Sequence, residues 1–194
     1  METEPAAETE PAATSRTTAE LEAGVDDVRR SPGDRGTLDL IVVRPDVDER
    51  TVLDEARFDV IRGMAGDTWS TRPSSRLGYP DPDAQVTIMN ARAAALIAGP
   101  VERWPLAGDQ LYVDLDLSGE HLPPGSRLRV GTAVLEITAK PHTGCTKFSA
   151  RFGPDAWRFV NSPVGRELNL RGVNARVVEA GVAPRGSVIT RLLT

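Results

Sequence analysis

The chain has 194 residues, the size of one domain with a tail, and its formal net charge of −5 comes entirely from its first 35 residues. Of the 28 acidic and 23 basic side chains, nine and four lie in that segment, which leaves 19 of each in the other 159 residues. A body without excess positive charge argues against a nucleic-acid-binding protein, because such proteins need Lys and Arg in excess to bind phosphates.

Residues 1–35 contain no aromatic residue and consist mostly of Glu, Ala, Thr, Pro and Arg. Such a segment buries too little apolar surface to offset the entropy of ordering. The sequence therefore predicts a disordered acidic tail over residues 1–35 and one folded domain over residues 36–194.

The N-terminus and the cysteine content predict a cytoplasmic protein. The first ten residues are acidic and lack the positive start and the apolar run of a secretory signal. The best apolar stretch, 91–99, has about half of the roughly 20 residues that a membrane span needs, so no membrane partner is expected. The chain has one cysteine, which excludes an intramolecular disulfide and gives no sign of an oxidising compartment.

Short apolar and β-branched runs bounded by Gly or Pro predict strands along most of the domain. The first run ends before Pro45, which cannot donate a hydrogen bond to a strand ladder. The clearest run alternates apolar residues with Tyr112, Asp114 and Asp116, which predicts one buried and one solvated face. The predicted strands are 38–43, 56–61, 85–89, 110–117, 127–130, 133–139, 175–179 and 187–192.

Three shorter segments carry helix signals. Asn90 can cap a helix over 91–98, Pro154 can open one that runs to residue 160, and a short piece can run over 163–168. Many short strands with few helices favour a mainly β, α+β fold of the β-barrel type over a doubly wound sheet.

The segment that follows the predicted strand 133–139 carries the most chemistry. Cys145 lies there within a few residues of His142, Lys140, Lys147 and Arg151. Nearby positive charge stabilises a thiolate, the form that attacks electrophiles, carries sulfur as a persulfide or ligates a soft metal. The sequence therefore predicts a reactive Cys145, with His142 as a candidate catalytic partner. The alternative is an inert thiol, because most free cysteines are small buried residues.

Other common sites find little support in the sequence. A structural zinc needs about four Cys or His ligands, and the chain offers only Cys145, His142 and the distant His121. The chain has neither a P-loop nor the Gly-x-Gly-x-x-Gly of a dinucleotide-binding fold. A Cys–His pair of the protease type stays open, because its histidine is a neighbour in space rather than in sequence.

Residues 68–70 are followed by a polar stretch rich in Gly, Pro and Ser, which spans residues 72–80. A loop of this length in a compact domain is often functional, and this one contains Arg72 and Arg76. We expect it at the rim of the pocket that holds Cys145. The alternative is a surface excursion in which Asp67 closes a turn.

Six motifs, taken in their order along residues 38–192, resemble the MOSC family, the domain named after the C-terminal part of molybdenum-cofactor sulfurase. The ordered set is more specific than any one of its members. The motifs are Gly-Met-Ala-Gly-Asp at 63–67, Gln-Val-Thr-Ile-Met-Asn at 85–90, Gly-Asp-Gln-Leu at 108–111, Leu-Pro-Pro-Gly-Ser-Arg-Leu at 122–128, Gly-Thr-Ala-Val-Leu-Glu-Ile at 131–137 and the Cys145 loop.

The resemblance implies a MOSC-type β-barrel with Cys145 in a pocket. In that family the matching cysteine is proposed to carry sulfur for transfer to a metal centre. In members that reduce N-hydroxylated compounds it is proposed to ligate the molybdenum of the pterin cofactor. Pyridoxal phosphate binds to a separate N-terminal domain of the full sulfurase, so the resemblance suggests this cofactor for the chain by family association only.

A molybdenum cofactor (molybdopterin) site needs hydrogen-bond donors for the pterin phosphate in addition to the thiolate. The candidates are His142, Lys147, Arg151 and Arg171, with the hydroxyls of Thr143 and Thr146. For Arg151 and Arg171 the alternative is an ordinary salt bridge.

The expected partners are a small-molecule cofactor or substrate and either a sulfur donor or an electron-transfer protein, because the chain shows no flavin, haem or iron–sulfur motif. A non-catalytic module that binds a cofactor or an oxyanion is the alternative from another class. Thiol reactivity separates the two: a catalytic Cys145 reacts quickly at neutral pH, whereas an incidental or buried thiol reacts slowly.

Overall fold

The computed structural model describes residues 15–74 and 76–193. The described residues form four α-helices: α1 Thr18–Arg29, α2 Ala91–Ala98, α3 Thr146–Asn161 and α4 Pro163–Glu167. They also form eleven strands: β1 Arg35–Val43, β2 Thr51–Leu53, β3 Glu55–Asp59, β4 Gly63–Met64, β5 Val86–Asn90, β6 Leu111–Asp114, β7 Arg127–Val130, β8 Ala133–Ile137, β9 Val173–Glu179, β10 Gly181–Pro184 and β11 Val188–Leu192. Three 3₁₀ helices span Thr68–Thr71, Pro82–Ala84 and Val101–Ala107.

Seven of the described strands close a barrel. Their order is β1-β11-β7-β8-β9-β5-β6, and the barrel closes because β1 pairs with both β11 and β6. Only the β5–β6 pair of the barrel is parallel among the described pairings, and α2 lies on the connection between these two strands, since parallel neighbours need a crossover. Strand β2 extends the sheet beside β1, while β10, β3 and β4 form a small second sheet. The predicted mainly β, α+β barrel is confirmed.

Apolar side chains fill the barrel and a second layer outside it. Leu38 and Val113 belong to the cluster inside the barrel, whereas Tyr112 packs under the helices. The predicted alternation is therefore correct for the inward face, although the regular strand is limited to Leu111–Asp114. The prediction that Tyr112 faces solvent is wrong, because the helical layer buries it completely.

Two of the predicted helices, α2 and α4, are present with side-chain caps. Asn90 accepts a hydrogen bond from the Ala93 N–H and begins α2, and Gly99 ends it. Ser162 begins α4 by accepting a hydrogen bond from the Gly165 N–H at 3.1 Å. None of the helices in the described part of the chain has the length and apolar character that crossing a bilayer requires.

Helix α3 is longer than predicted. The predicted segment 154–160 is its second half, which follows a bend at Gly153, where φ is 90°. The first half was not predicted and begins at Thr146. Cys145 consequently lies at the junction between a loop and a helix rather than within a long loop.

Part of the predicted acidic tail is folded. Thr18–Arg29 forms α1, which begins with a capping box, and its Leu21 and Val28 are buried in the helical layer outside the barrel. Composition alone predicts a tail, but apolar residues seven positions apart lie on one helical stripe that can pack against a neighbour. The folded body therefore begins before residue 36, and the first 14 residues of the predicted tail lie outside the described residues.

Candidate functional site

A cavity of about 420 Å³ lies between the loop after β8 and the 3₁₀ helix Thr68–Thr71. Three basic side chains line it, and we call it the cationic pocket. Its polar lining consists of Arg44, Arg72, Lys140, His142, Thr68, Thr87, Thr143 and Asn174.

The three basic residues of the cationic pocket differ in how they are neutralised. Arg44 makes two hydrogen bonds of 2.8 Å to the carboxylate of buried Asp67. Lys140 Nζ lies 2.5 Å from Asp81 Oδ2, and this contact lowers the pKa of Asp81. Arg72 makes no ion pair with any residue that the structure describes. The pocket therefore favours an anionic ligand.

A buried ion pair lies behind His142. Asp109 is fully buried, and Arg171 Nη1 donates to its Oδ2 at 2.5 Å. Arg171 also donates to the Ala107 carbonyl at 2.8 Å, and its guanidinium lies 5.1 Å from the centre of the Phe148 ring. His142 Nδ1 lies 3.5 Å from Asp109 Oδ1. This cluster connects the start of β6 with the loop after β8 and with the first half of α3.

Burial sets the protonation state of His142. Its side chain is 16% exposed, and loss of solvent holds its pKa well below 6.5, with further lowering by the cations Arg171, Arg44 and Lys140. Burial also raises the pKa of Asp109, against the opposing effect of Arg171. His142 is consequently a neutral imidazole at neutral pH.

Cys145 is exposed and immediately precedes α3. Its carbonyl accepts a hydrogen bond from the Ser149 N–H at 3.1 Å. The preceding Gly144 is tied to the second half of α3, because its N–H donates to Asn161 Oδ1 at 3.2 Å and its carbonyl accepts from Trp157 Nε1 at 2.8 Å. The exposed thiol contradicts the alternative of a buried Cys145.

Three of the predicted binding residues have other contacts. Lys147 Nζ and Arg151 Nη2 lie 3.0 and 2.9 Å from Asp48 Oδ1, because residues four positions apart share one face of a helix. Arg171 is buried in the pair with Asp109. None of the three lines the cationic pocket.

The other predicted residues lie at the cationic pocket or directly beyond it in sequence. His142 and Thr143 line the pocket. Cys145 and Thr146 are exposed but are not part of the lining. The loop therefore brings the cationic pocket and a free thiol within three residues of each other.

The predicted rim loop contributes Arg72 to the cationic pocket, while Arg76 is not part of the lining. Sequence reasoning missed the roles of Arg44 and Asp109. Asp109 lies in the Gly-Asp-Gln-Leu motif, so the position of that motif was the available signal. Arg44 follows the first strand and carried no comparable signal.

Bacterial proteins of known structure have the same fold as this chain. The YuaD protein from Bacillus subtilis is 18% identical, with a TM-score of 0.55 over 80% of this chain and 94% of that chain. YiiM from Escherichia coli is 17% identical, with a TM-score of 0.55 over 82% of this chain and 70% of that chain. The chain shares the fold of YuaD and YiiM.

A third structure, YiiM from Geobacillus stearothermophilus, is 14% identical, with a TM-score of 0.51 over 82% of this chain and 73% of that chain. Identities this low show the fold alone. No protein-family model matches the chain, and no curated protein matches it.

Proposed function

We propose that the chain binds an anionic, phosphate-bearing cofactor in the cationic pocket and that Cys145 carries sulfur beside it. The MOSC-like motifs favour the molybdenum cofactor as that anion, and the fold shared with YuaD and YiiM agrees with the barrel that the motifs imply. The observation that carries the proposal is the exposed thiol of Cys145, which follows the pocket-lining residues His142 and Thr143 in one loop.

The residues of the cationic pocket suit a phosphate. Arg72 has no carboxylate partner among the described residues, and Arg44 and Lys140 add positive charge. Arginine can hold two oxygens of one phosphate, and the cavity of about 420 Å³ falls within the roughly 300–1,000 Å³ of small-molecule sites. These side chains would hold the phosphate of a molybdopterin, and the bound cofactor would supply a redox-active molybdenum centre.

The thiol of Cys145 can carry sulfur without a net redox change. Its thiolate attacks the outer sulfur of a donor persulfide, R–S–S–H. A new S–S bond forms on Cys145 while the S–S bond of the donor breaks, and R–S⁻ leaves. Because the chain has one cysteine, no second thiol can remove the sulfur by forming an intramolecular disulfide.

Two alternatives use the same pocket. A non-catalytic module that holds an oxyanion or a cofactor for a partner is favoured by one observation, since Cys145 itself does not line the cavity. A molybdenum-dependent reductase of N-hydroxylated compounds would use Cys145 as a metal ligand and would take electrons from another protein. Among the described residues, no three His, Cys, Asp or Glu side chains meet in a way that could hold a metal ion. In such a reductase, Cys145 would supply one thiolate ligand to the molybdenum, and the cofactor would supply the other ligands.

Exposure to glutathione persulfide, followed by thiol labelling and mass spectrometry, tests sulfur transfer. We expect one persulfide per chain on wild-type Cys145 and none in Cys145→Ser. Arg57→Ala is a suitable control, because Arg57 pairs with Glu55 in the small second sheet and its removal should leave the persulfide yield unchanged. A wild-type thiol that takes no sulfur and is alkylated slowly at neutral pH would favour the non-catalytic module.

A further inference from the structure

His142 and Asp109 face each other with polar atoms that no other group satisfies. His142 Nδ1 and Asp109 Oδ1 lie 3.5 Å apart, and each is buried without a hydrogen-bond partner among the described residues. Buried polar atoms nearly always have a partner in folded proteins. These two atoms are therefore each other's natural partner, at a separation that a small shift of either side chain would close.

The orientation of Asp109 selects one tautomer of the imidazole. Its Oδ2 accepts from Arg171 Nη1, and Arg171 is fixed in turn by the Ala107 carbonyl and the Phe148 ring. The ion pair with Arg171 favours the ionised form of Asp109 against the burial that raises its pKa. An ionised carboxylate only accepts hydrogen bonds, so Asp109 favours the form of His142 that carries its proton on Nδ1. That form leaves a lone pair on Nε2.

The Nε2 atom of His142 is open to the cavities. The residue lines the cationic pocket and two adjoining cavities. Nε2 makes no hydrogen bond to a described residue, and it is not among the buried atoms without a partner. An imidazole nitrogen with a lone pair that is open to a ligand site can accept a proton.

The charges around His142 keep it neutral until an anion binds. Arg44 follows β1, Lys140 follows β8 and Arg171 follows α4, while Asp109 before β6 is the facing anion. Burial and the three cations hold the pKa of His142 well below 6.5. A bound phosphate would offset the cations and would therefore raise this pKa.

We propose that His142 is the proton acceptor of the cationic pocket and that Asp109 is the positioning residue that sets its tautomer. An O–H or S–H of the ligand gives its proton to Nε2 and keeps the electron pair, and the imidazolium formed donates its Nδ1–H to Asp109. The proton later returns from Nε2 to the product. This inference rests on the proposed function, because it needs the pocket to be a ligand site.

Nitrogen-15 NMR of the imidazole rings reads the tautomer directly in the wild-type protein. The chain has two histidines, so His121→Gln assigns the signals of His142. We expect a protonated Nδ1 and an unprotonated Nε2 at neutral pH. A dominant Nε2–H tautomer, or an imidazolium at neutral pH, would overturn the proposal.

Asp109→Asn has a matched control in Asp67→Asn. Both aspartates are buried and pair with an arginine, so both substitutions remove a buried ion pair. We expect only Asp109→Asn to lower the ratio of the Nδ1–H to the Nε2–H tautomer of His142, by about tenfold. A neutral amide accepts a hydrogen bond from the His142 Nδ1–H less strongly than a carboxylate does, so it favours this tautomer less. An equal change in both variants, or none in Asp109→Asn, would contradict a positioning role. If Asp109→Asn does not fold, the tautomer measured in the wild-type protein still tests the proposal.

Titration with inorganic phosphate separates this inference from the pocket proposal. We expect phosphate to shift the Thr143 amide resonance and to raise the pKa of His142. Phosphate that shifts the Thr143 amide without changing that pKa would overturn the proton-acceptor role and leave the pocket proposal intact. Phosphate that changes neither signal would overturn the pocket as an anion site, and with it the role of His142 there.

Discussion

Removal of the Arg72 guanidinium is expected to weaken anion binding in the cationic pocket. Arg72 lines the cavity and makes no ion pair with a carboxylate among the described residues. Arg44 and Lys140, in contrast, form ion pairs with Asp67 and Asp81. A hydrogen bond to a charged group contributes about 1.5–3 kcal/mol, and about 1.4 kcal/mol corresponds to a tenfold change in Kd. Arg72→Ala should therefore raise the Kd for inorganic pyrophosphate by about ten- to a hundredfold.

Isothermal titration calorimetry at low and raised salt measures this effect. Lys147→Ala is the matched control, because it removes an exposed cation that already contacts Asp48, and it should change the Kd by less than about threefold. The wild-type affinity should fall as salt rises, and that of Arg72→Ala should fall less steeply. Equal affinities for wild type and Arg72→Ala, or an equal loss in Lys147→Ala, would refute the pocket as the anion site.

Three further predictions concern the parts of the fold that support the site. Gly144→Ala should lower the free energy of unfolding by about 1–3 kcal/mol in urea titrations, because a Cβ there would lie 2.8 Å from Val160. If the variant is as stable as the wild type, the loop can move to make room for the Cβ without cost. Leu21→Ala should cost about 2–5 kcal/mol, since Leu21 is fully buried; a loss below about 0.5 kcal/mol would contradict the packing of α1. The free energy of unfolding should fall as the pH drops from 6.5 toward the lower folded-state pKa of His142, because the unfolded chain binds the imidazole proton more readily than the folded chain. In urea titrations over this pH range, His142→Gln should make the free energy of unfolding less dependent on pH. An unchanged pH slope in the variant would argue against a buried neutral imidazole.

Elements with local signals were predictable from the sequence. The cap of α2 at Asn90 and its end at Gly99 depend on residues within that segment, and most strands are bounded by their own Gly or Pro. Closure of the barrel depends on pairing between β1 and β11, which lie at opposite ends of the domain. No local pattern carries that information, so the barrel followed from the number of strands and from the family resemblance.

The candidate site was predictable only in part, because closeness in sequence does not determine direction in space. Lys147 and Arg151 are near Cys145 along the chain, but the unpredicted first half of α3 turns both toward Asp48. Asp109 was missed because its surroundings come from segments that are distant in sequence. The Gly-Asp-Gln-Leu motif at 108–111 marked the position of Asp109, but it did not show which residues surround the carboxylate in the fold.

The molybdenum and pterin content of the purified chain, produced in a host that makes the molybdenum cofactor, decides whether the cationic pocket binds that cofactor. Wild type, Lys147→Ala and Arg72→Ala would be compared in parallel by metal analysis and pterin fluorescence. We expect near-stoichiometric pterin and molybdenum in wild type and Lys147→Ala, and a clear loss of both in Arg72→Ala. Wild-type protein that carries neither pterin nor molybdenum would contradict binding of the molybdenum cofactor in this pocket.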